Sequence, residues 1–463
     1  MPQWPAPMLP TPTPTLLVTP APPATAGVLL HQIGALAAPT TLLSMLQVAA
    51  QLAETVLAAR QGTAALAGWA VMLPLALLLA QMSTGAMGGG VVSAVARALG
   101  AERLDQASAL VLHAMLIATG GGLLFAMGVS LAAWPLVNAV AGAEAAALAA
   151  PYAWWLFGLG AVPAWWANTL ASILRGGGRH GLAARILALS WLAYPALGWL
   201  LAEPLGCGLA GVGAAFAVTN VVAAAVMLQV VRAGHAGFHP RWRLRPSREL
   251  FMSILRVGAV ASGLATLSNL STVIVTSQLR HLGPGTVAAY GIAARLEFLV
   301  IPLAFGVGSA LTALVGRAVG ANDWARARRI AWIGGGLALA VTALIGLAVG
   351  LMPLRFALIF TDDAEVAGMA ARALRFTGPA FGGFGIGMAM YFASIGAQRM
   401  TAPVLAGFAR LFVATVGGWT LAHGVGSWPG MGPEGHFLGV ALGLVAYGSI
   451  IAGGVRPSRW RTL

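Results

Sequence analysis

Apolar residues run along this chain in blocks too long for a soluble helix and too continuous for an amphipathic one. A hydrocarbon core about 30 Å thick takes about 20 helical residues to cross, and blocks of that length recur almost from end to end. Twelve are read, with approximate limits 31–59, 64–90, 107–134, 147–174, 181–202, 208–232, 250–280, 285–315, 327–353, 366–397, 402–424 and 436–455. The pattern predicts an all-α polytopic membrane protein, with twelve transmembrane helices in two six-helix lobes. Residues 1–28, rich in Pro and Thr, are expected to form a disordered tail. The expected lobes are 29–234 and 250–456, joined by a basic cytoplasmic linker at 235–249 and followed by a cytoplasmic tail at 457–463.

Composition narrows the class. Of 463 residues only 8% are charged and 59% are hydrophobic, against about 25% charged in a soluble domain, which excludes a water-soluble enzyme. Many of the 61 Gly and several of the 26 Pro, such as Pro39, Pro195, Pro302 and Pro379, sit inside the apolar blocks, where membrane helices tolerate them. The net charge of +14 is carried by arginine alone, since the chain has no lysine. In a chain this apolar, such charge sets topology rather than nucleic-acid binding. Arginines gather in alternate connections: Arg97 and Arg103, Arg175 and Arg179, Arg241 to Arg248, Arg317 to Arg329, and Arg399. Those connections are read as cytoplasmic, as are both termini. One cysteine, Cys207, excludes an internal disulfide or thiolate cage. His235 and His239, without a cysteine nearby, do not read as a metal site. Neither a metal nor a cofactor is expected.

The segments 97–107 and 317–327 share five of eleven residues at an offset of 220. GTAALAG at 62–68 aligns with GTVAAYG at 285–291, and ASI at 171–173 with ASI at 393–395. Because each half has an even number of spans, the halves enter the membrane in the same sense. They are expected to be related by a pseudo-twofold axis along the membrane normal, with a cleft between them.

LAETVLAARQGTAALAG at 52–68, VARALGAERLDQA at 95–107, GVGAAFA at 211–217, IFTDDAEV at 359–366 and the long segment 291–328 carry a family likeness. Taken in this order they resemble the multidrug and toxic compound extrusion (MATE) family, from about Leu29 to Gly454. The resemblance implies a bacterial inner-membrane exporter of organic, cationic compounds driven by a proton or sodium gradient. A lipid-linked oligosaccharide flippase of related fold is the alternative; a cationic cavity would favour it, and the only deep arginine read here is Arg295. The expected partners are a small organic molecule and the bilayer, with the chain acting as a monomer and binding no nucleic acid.

Twelve carboxylates are present, and ten lie in loops or at span ends. The other two, Glu54 and Glu297, fall inside spans, where a charge is unfavourable by at least about 2.5–3.5 kcal/mol. Gln47, Gln51 and Glu54 follow an i, i+4, i+7 spacing on one helix face. Burial disfavours a charged carboxyl, so an intramembrane glutamate without an arginine neighbour is suited to exchanging protons. The resemblance implies the same residue: eight positions before Gly62 the family usually holds an aspartate implicated in cation coupling, and Pro39 matches a family proline in the first helix. Ser190 and Tyr194 stand where the family has Asn and Asp, so any network around Glu54 is differently built; hydrogen bonding to Glu54 and plain packing are both open to them. The seventh span and the depth of the tenth carry no acid, where the resemblance would place them in one sodium-coupled branch of the family, so proton coupling through Glu54 is the expected scheme. The seventh span presents Asn269, Thr272 and Thr276 as a polar stripe for the cleft or a neighbouring helix.

Glu297, with Arg295 and Tyr290 nearby in sequence, reads as a buried structural pair, with gating as the alternative. Arg97 and Arg317 occupy matching inner positions suited to topology and headgroup contact. Trp165, Trp191 and Met388 lie within spans where they can stack on a planar cation, although packing is the commoner use. Trp134, Trp154, Trp155, Trp199 and Trp428, with Trp324, Trp332 and Trp460 at the other side, are read as interfacial anchors.

Overall fold

The computed structural model describes residues 25–242 and 246–461, apart from the side chains of Phe298 and Leu299. Among them eleven helices are long and apolar enough to cross a membrane, and a pair bent by 42° makes a twelfth crossing. In the first lobe these are α1 (Ala26–Arg60), α2 (Thr63–Gly100), α3 (Leu104–Ala141), α4 (Ala143–Leu159 with Ala161–Gly176), α5 (His180–Ala202) and α6 (Gly208–Arg232). The second lobe holds α7 (Arg248–Leu282), α8 (Pro284–Gly320), α9 (Trp324–Leu351), α10 (Ala364–Ala397), α11 (Thr401–His423) and α12 (Pro433–Gly454). The expected all-α architecture of twelve spans in two lobes is the observed one.

The repeat survives as backbone geometry. Glu102 and Asn322, at the offset of 220, both take a left-handed conformation, with φ of 58° and 59°. Behind each, an amide closes the helix end: Arg103 N–H donates to the Ala98 carbonyl and Asp323 N–H to the Ala318 carbonyl, both at 2.9 Å. Gly178 and Gln398, again 220 apart, both have positive φ, and Arg179 and Arg399 donate to Leu174 and Ser394 in the same way. α2 and α8 start on glycines of matching conformation, Gly62 at φ 103° and Gly283 at φ 105°. The register is therefore 220 to 221 throughout. The sequence match of Gly62 with Gly285 is displaced by two residues, because the helix start requires a positive φ and Pro284 follows Gly283. The ASI match is displaced likewise.

The lobes meet where the C-terminal ends of α2 and α8 cross. A Cβ at Gly100 would fall 2.0 Å from the Arg317 carbonyl oxygen, and one at Gly320 would fall 2.1 Å from that of Arg97. The two halves of the repeated segment thus grip each other, backbone to backbone. Beside this crossing the Ser93 hydroxyl of α2 donates to the Ile395 carbonyl of α10 at 2.6 Å, and the Arg97 guanidinium donates to Ser93. Arg97 accordingly ties the interface between lobes, while Arg317 is exposed.

The tail limit and Trp460 differ from expectation. Residues 1–24 of the anticipated tail lie outside the described residues, but Ala26–Val28 already belong to α1, where the Thr25 hydroxyl accepts from the Val28 amide. The basic linker is docked on the first lobe: Ser108 donates to the His239 carbonyl at 2.6 Å and the Ser247 amide donates to His113 Nε2 at 2.7 Å. Arg243 and Arg245 lie outside the described residues. Trp460 is 2% exposed instead of sitting at the interface, because its carbonyl accepts from Arg328 and its ring fills the second lobe's core.

Candidate functional site

Glu54 points into the first lobe and is 7% exposed. Two aromatic donors converge on its Oε1: the Tyr152 hydroxyl of α4 at 2.6 Å and the Trp69 indole N–H of α2 at 3.0 Å. The Tyr194 hydroxyl of α5 is buried beside the same carboxyl and makes no formed hydrogen bond. Four helices therefore build the pocket. Just past Tyr152 a π-helical turn, Trp154–Leu159, widens α4, a feature that re-aims side chains and is frequent at functional sites. Trp191, Tyr194 and Phe216 continue the aromatic wall, with ring centroids 5.8 to 6.5 Å apart.

No arginine compensates Glu54: among the described residues it belongs to no ion pair. Its charge is held by neutral donors, which strengthen when the carboxyl is ionised, against a desolvation penalty that acts the other way. Such a balance permits a change of charge without breaking a salt bridge. Gln47 and Gln51 are half-buried on the same helix and donate no side-chain hydrogen bond among the described residues. Ser190 does not reach Glu54; its hydroxyl donates to the Thr219 carbonyl at 3.1 Å, bracing α5 against α6. Pro39 lies inside α1 one residue before Thr40, whose hydroxyl sits 3.4 Å from His180 Nδ1.

The second intramembrane acid is differently partnered. Glu297 of α8 pairs with Arg410 of α11 at 2.7 Å, not with Arg295, which is exposed. Two residues along a helix the side chains diverge by some 200°, which is why sequence adjacency misled. Arg410 was missed altogether, although a single arginine inside the apolar run GFARLFVATV is itself a signal of an intramembrane function or pair. Its guanidinium lies 5.3 Å from the Phe384 ring centroid and 5.9 Å from that of Tyr447. A π-helical turn, Val413–Gly417, follows it, and the Gln278 amide donates to the Thr415 carbonyl there.

The cleft candidates divide. Thr272 and Thr276 line a groove of about 340 Å³, with Ser277 and Arg280 beside them, and Asn269 reaches Gln81 of α2 at 3.5 Å across the lobes. Met388 accepts a long contact of 3.8 Å from the Tyr447 hydroxyl. Trp165 is no cleft residue: it is 2% exposed, packed against Phe125, and a Cβ at Gly121 would strike its ring at 2.6 Å. Among the described residues no three His, Cys, Asp or Glu side chains are placed to hold a metal ion.

Comparison with known proteins gives the family. The MatE family model matches residues 39–200 and 261–420. A probable multidrug resistance protein NorM of Xanthomonas campestris pv. campestris is 30% identical over 216 residues, covering 45% of this chain and 43% of that protein. The NorM of Xanthomonas axonopodis pv. citri is 28% identical over 264 residues, 53% and 54% of the two chains. The chain spans about half the length of the curated relatives it matches. The fold is shared with the Vibrio cholerae MATE transporter VcmN in its bent form, at a TM-score of 0.86 and 20% identity, covering 93% of this chain and 97% of that one. A MOP superfamily transporter from Pyrococcus furiosus gives 0.84 at 22% identity, over 92% and 95%. With the family model matched in both lobes and across more than half of its residues, this chain belongs to the MatE family of multidrug and toxic compound extrusion transporters.

Proposed function

We propose that this chain is a multidrug exporter of the bacterial inner membrane, with both termini cytoplasmic, which expels organic cations in exchange for protons by alternating access. It is no enzyme on this reading and works as a monomer. The observation that carries the proposal is Glu54: a buried carboxyl held by Tyr152 and Trp69 and, among the described residues, without a counter-ion. A proton arriving from outside neutralises it, weakens both charge-assisted bonds and lets α1 shift at Pro39, where a backbone bond is already missing. Bound drug then leaves outward. The grip of α2 on α8 on the arginine-rich side fits a protein sealed toward the cytoplasm, and the relatives' names point to drug resistance.

Everted vesicles test it. A fluorescent organic cation should accumulate when the vesicle interior is made acidic, and Glu54→Gln should abolish that accumulation while Glu54→Asp retains part. Accumulation driven only by a sodium-loaded interior would replace proton with sodium coupling, and undiminished transport by Glu54→Gln would remove the residue from the mechanism.

A further inference from the structure

A groove of about 520 Å³ on the arginine-rich side has no part in the proton cycle. It lies between the first turns of α7 and the turn that joins α10 to α11, and is lined by Arg248, Glu249, Met252, Ser253, Arg256 and Gln398. Arg248 directly follows the basic linker, whereas Arg256 stands eight residues, about 12 Å, further along the same helix. An exposed arginine this far inside a span has to return its charge to water or to head groups, and helical side chains lean toward the helix N-terminus. Arg256 therefore snorkels back toward Arg248. Both guanidiniums and the Glu249 carboxyl are exposed, and none of the three belongs to an ion pair among the described residues. Ser253 donates its hydroxyl to the Leu250 carbonyl at 2.7 Å, which leaves its oxygen able to accept. The Gln398 amide donates to the Ser253 carbonyl at 3.0 Å and ties α7 to the α10–α11 turn.

Two arginines and one glutamate give the groove a net charge of +1, and basic pockets between helices at the membrane surface are receptors for lipid phosphates. We propose that this groove binds the head group of one phosphatidylglycerol, its phosphate between Arg248 and Arg256 and its glycerol hydroxyls donating to Glu249 and Ser253. Arginine suits the task because its planar fork matches a phosphate. A single phosphodiester neutralises the groove, whereas zwitterionic phosphatidylethanolamine leaves it at +1, and phosphatidylcholine has no donor for Glu249. The place of the groove gives such a lipid a mechanical role. A Cβ at Gly90 of α2 would fall 2.8 Å from the Ile254 carbonyl oxygen, and one at Gly258 would fall 2.4 Å from Met87 Sδ, so this stretch of α7 packs directly on the first lobe. Its other edge is held to the α10–α11 turn by Gln398. A lipid seated there clamps α7 at the seam between the lobes, whatever compound the chain moves.

Native mass spectrometry of the full chain in detergent, offered phosphatidylglycerol, phosphatidylethanolamine and phosphatidylcholine of matched acyl chains in equal amounts, reads the occupancy directly. Phosphatidylglycerol should be retained about tenfold over phosphatidylcholine, and ahead of phosphatidylethanolamine. Arg248→Gln with Arg256→Gln should remove that preference. Arg326→Gln with Arg329→Gln, the same loss of charge at two other exposed arginines of that side, should keep it. Should the first double variant fail to fold, Arg256→Gln alone should still reduce the preference. Glu249→Gln, which raises the groove to a net +2, should increase retention of doubly charged cardiolipin. Equal retention of phosphatidylglycerol and phosphatidylcholine by the wild type, phosphatidylethanolamine ahead of phosphatidylglycerol, or a preference lost equally in both double variants would overturn the proposal. Displacement of the lipid by glycerol phosphate at matched concentration would do the same, by making the ligand a soluble phosphate.

Discussion

A carboxyl held by a phenol and an indole differs from one held by a guanidinium, because its partners remain neutral whatever its charge. The 2.6 Å bond from Tyr152 to Glu54 should therefore vary in strength with pH. Hydrogen bonds to a charged group contribute about 1.5–3 kcal/mol and those between neutral groups about half of that. Tyr152→Phe should accordingly destabilise the protein more when the carboxyl is ionised, at the alkaline end, than when it is protonated at the acidic end. Thermal unfolding across pH in detergent reads this, and the dependence should vanish in a Glu54→Gln background. In the other lobe, Arg410→Met should destabilise by about 3–5 kcal/mol by stranding Glu297, and adding Glu297→Gln should restore most of it. Both acids were legible in the sequence because a charge inside an apolar run stands out. Their partners were not: Trp69, Tyr152 and Arg410 lie 15, 98 and 113 positions away, and which ring or cation meets which acid is decided by helix packing.

Among the helices, the crossing of α2 and α8 carries the sharpest constraint. Each glycine there faces a carbonyl oxygen that cannot swing aside, so an added methyl must part the helices. Overpacking of this kind is unfavourable by about 1–3 kcal/mol, and it falls selectively on the arrangement closed at the arginine-rich side. With Cys207→Ser and Ser93→Cys as background, a permeant maleimide should label position 93 slowly, since Ser93 is fully buried. Gly100→Ala or Gly320→Ala should speed that labelling, and an unchanged rate would mean that the crossing is not a closure. The arginine-glycine repeat is legible in the sequence, where it reads as topology and headgroup contact, but the crossing of its two copies emerges only from the packing. The register of the other two repeat matches was misplaced, because identical tripeptides in an alanine-rich chain align by chance, whereas positive φ at Gly62 and Gly283 does not.

Taken whole, the molecule has a symmetric scaffold and asymmetric chemistry. The backbone turns repeat at 220, but the first lobe buries its acid among neutral donors and the second pairs its acid with arginine. Hydropathy sufficed for the span count, since it follows from the solvent; the docked linker and the buried Trp460 escaped because they depend on tertiary contacts. Orientation has a direct check in Cys207, exposed in the connection between α5 and α6 opposite the arginine-rich side. An impermeant maleimide should label it in right-side-out spheroplasts and not in everted vesicles; the reverse pattern would invert the topology. The central claim is that Glu54 gives up a proton when drug binds. Adding a cationic dye to the purified protein in unbuffered detergent solution should acidify it for the wild type and not for Glu54→Gln. Equal proton release from both proteins would contradict the account.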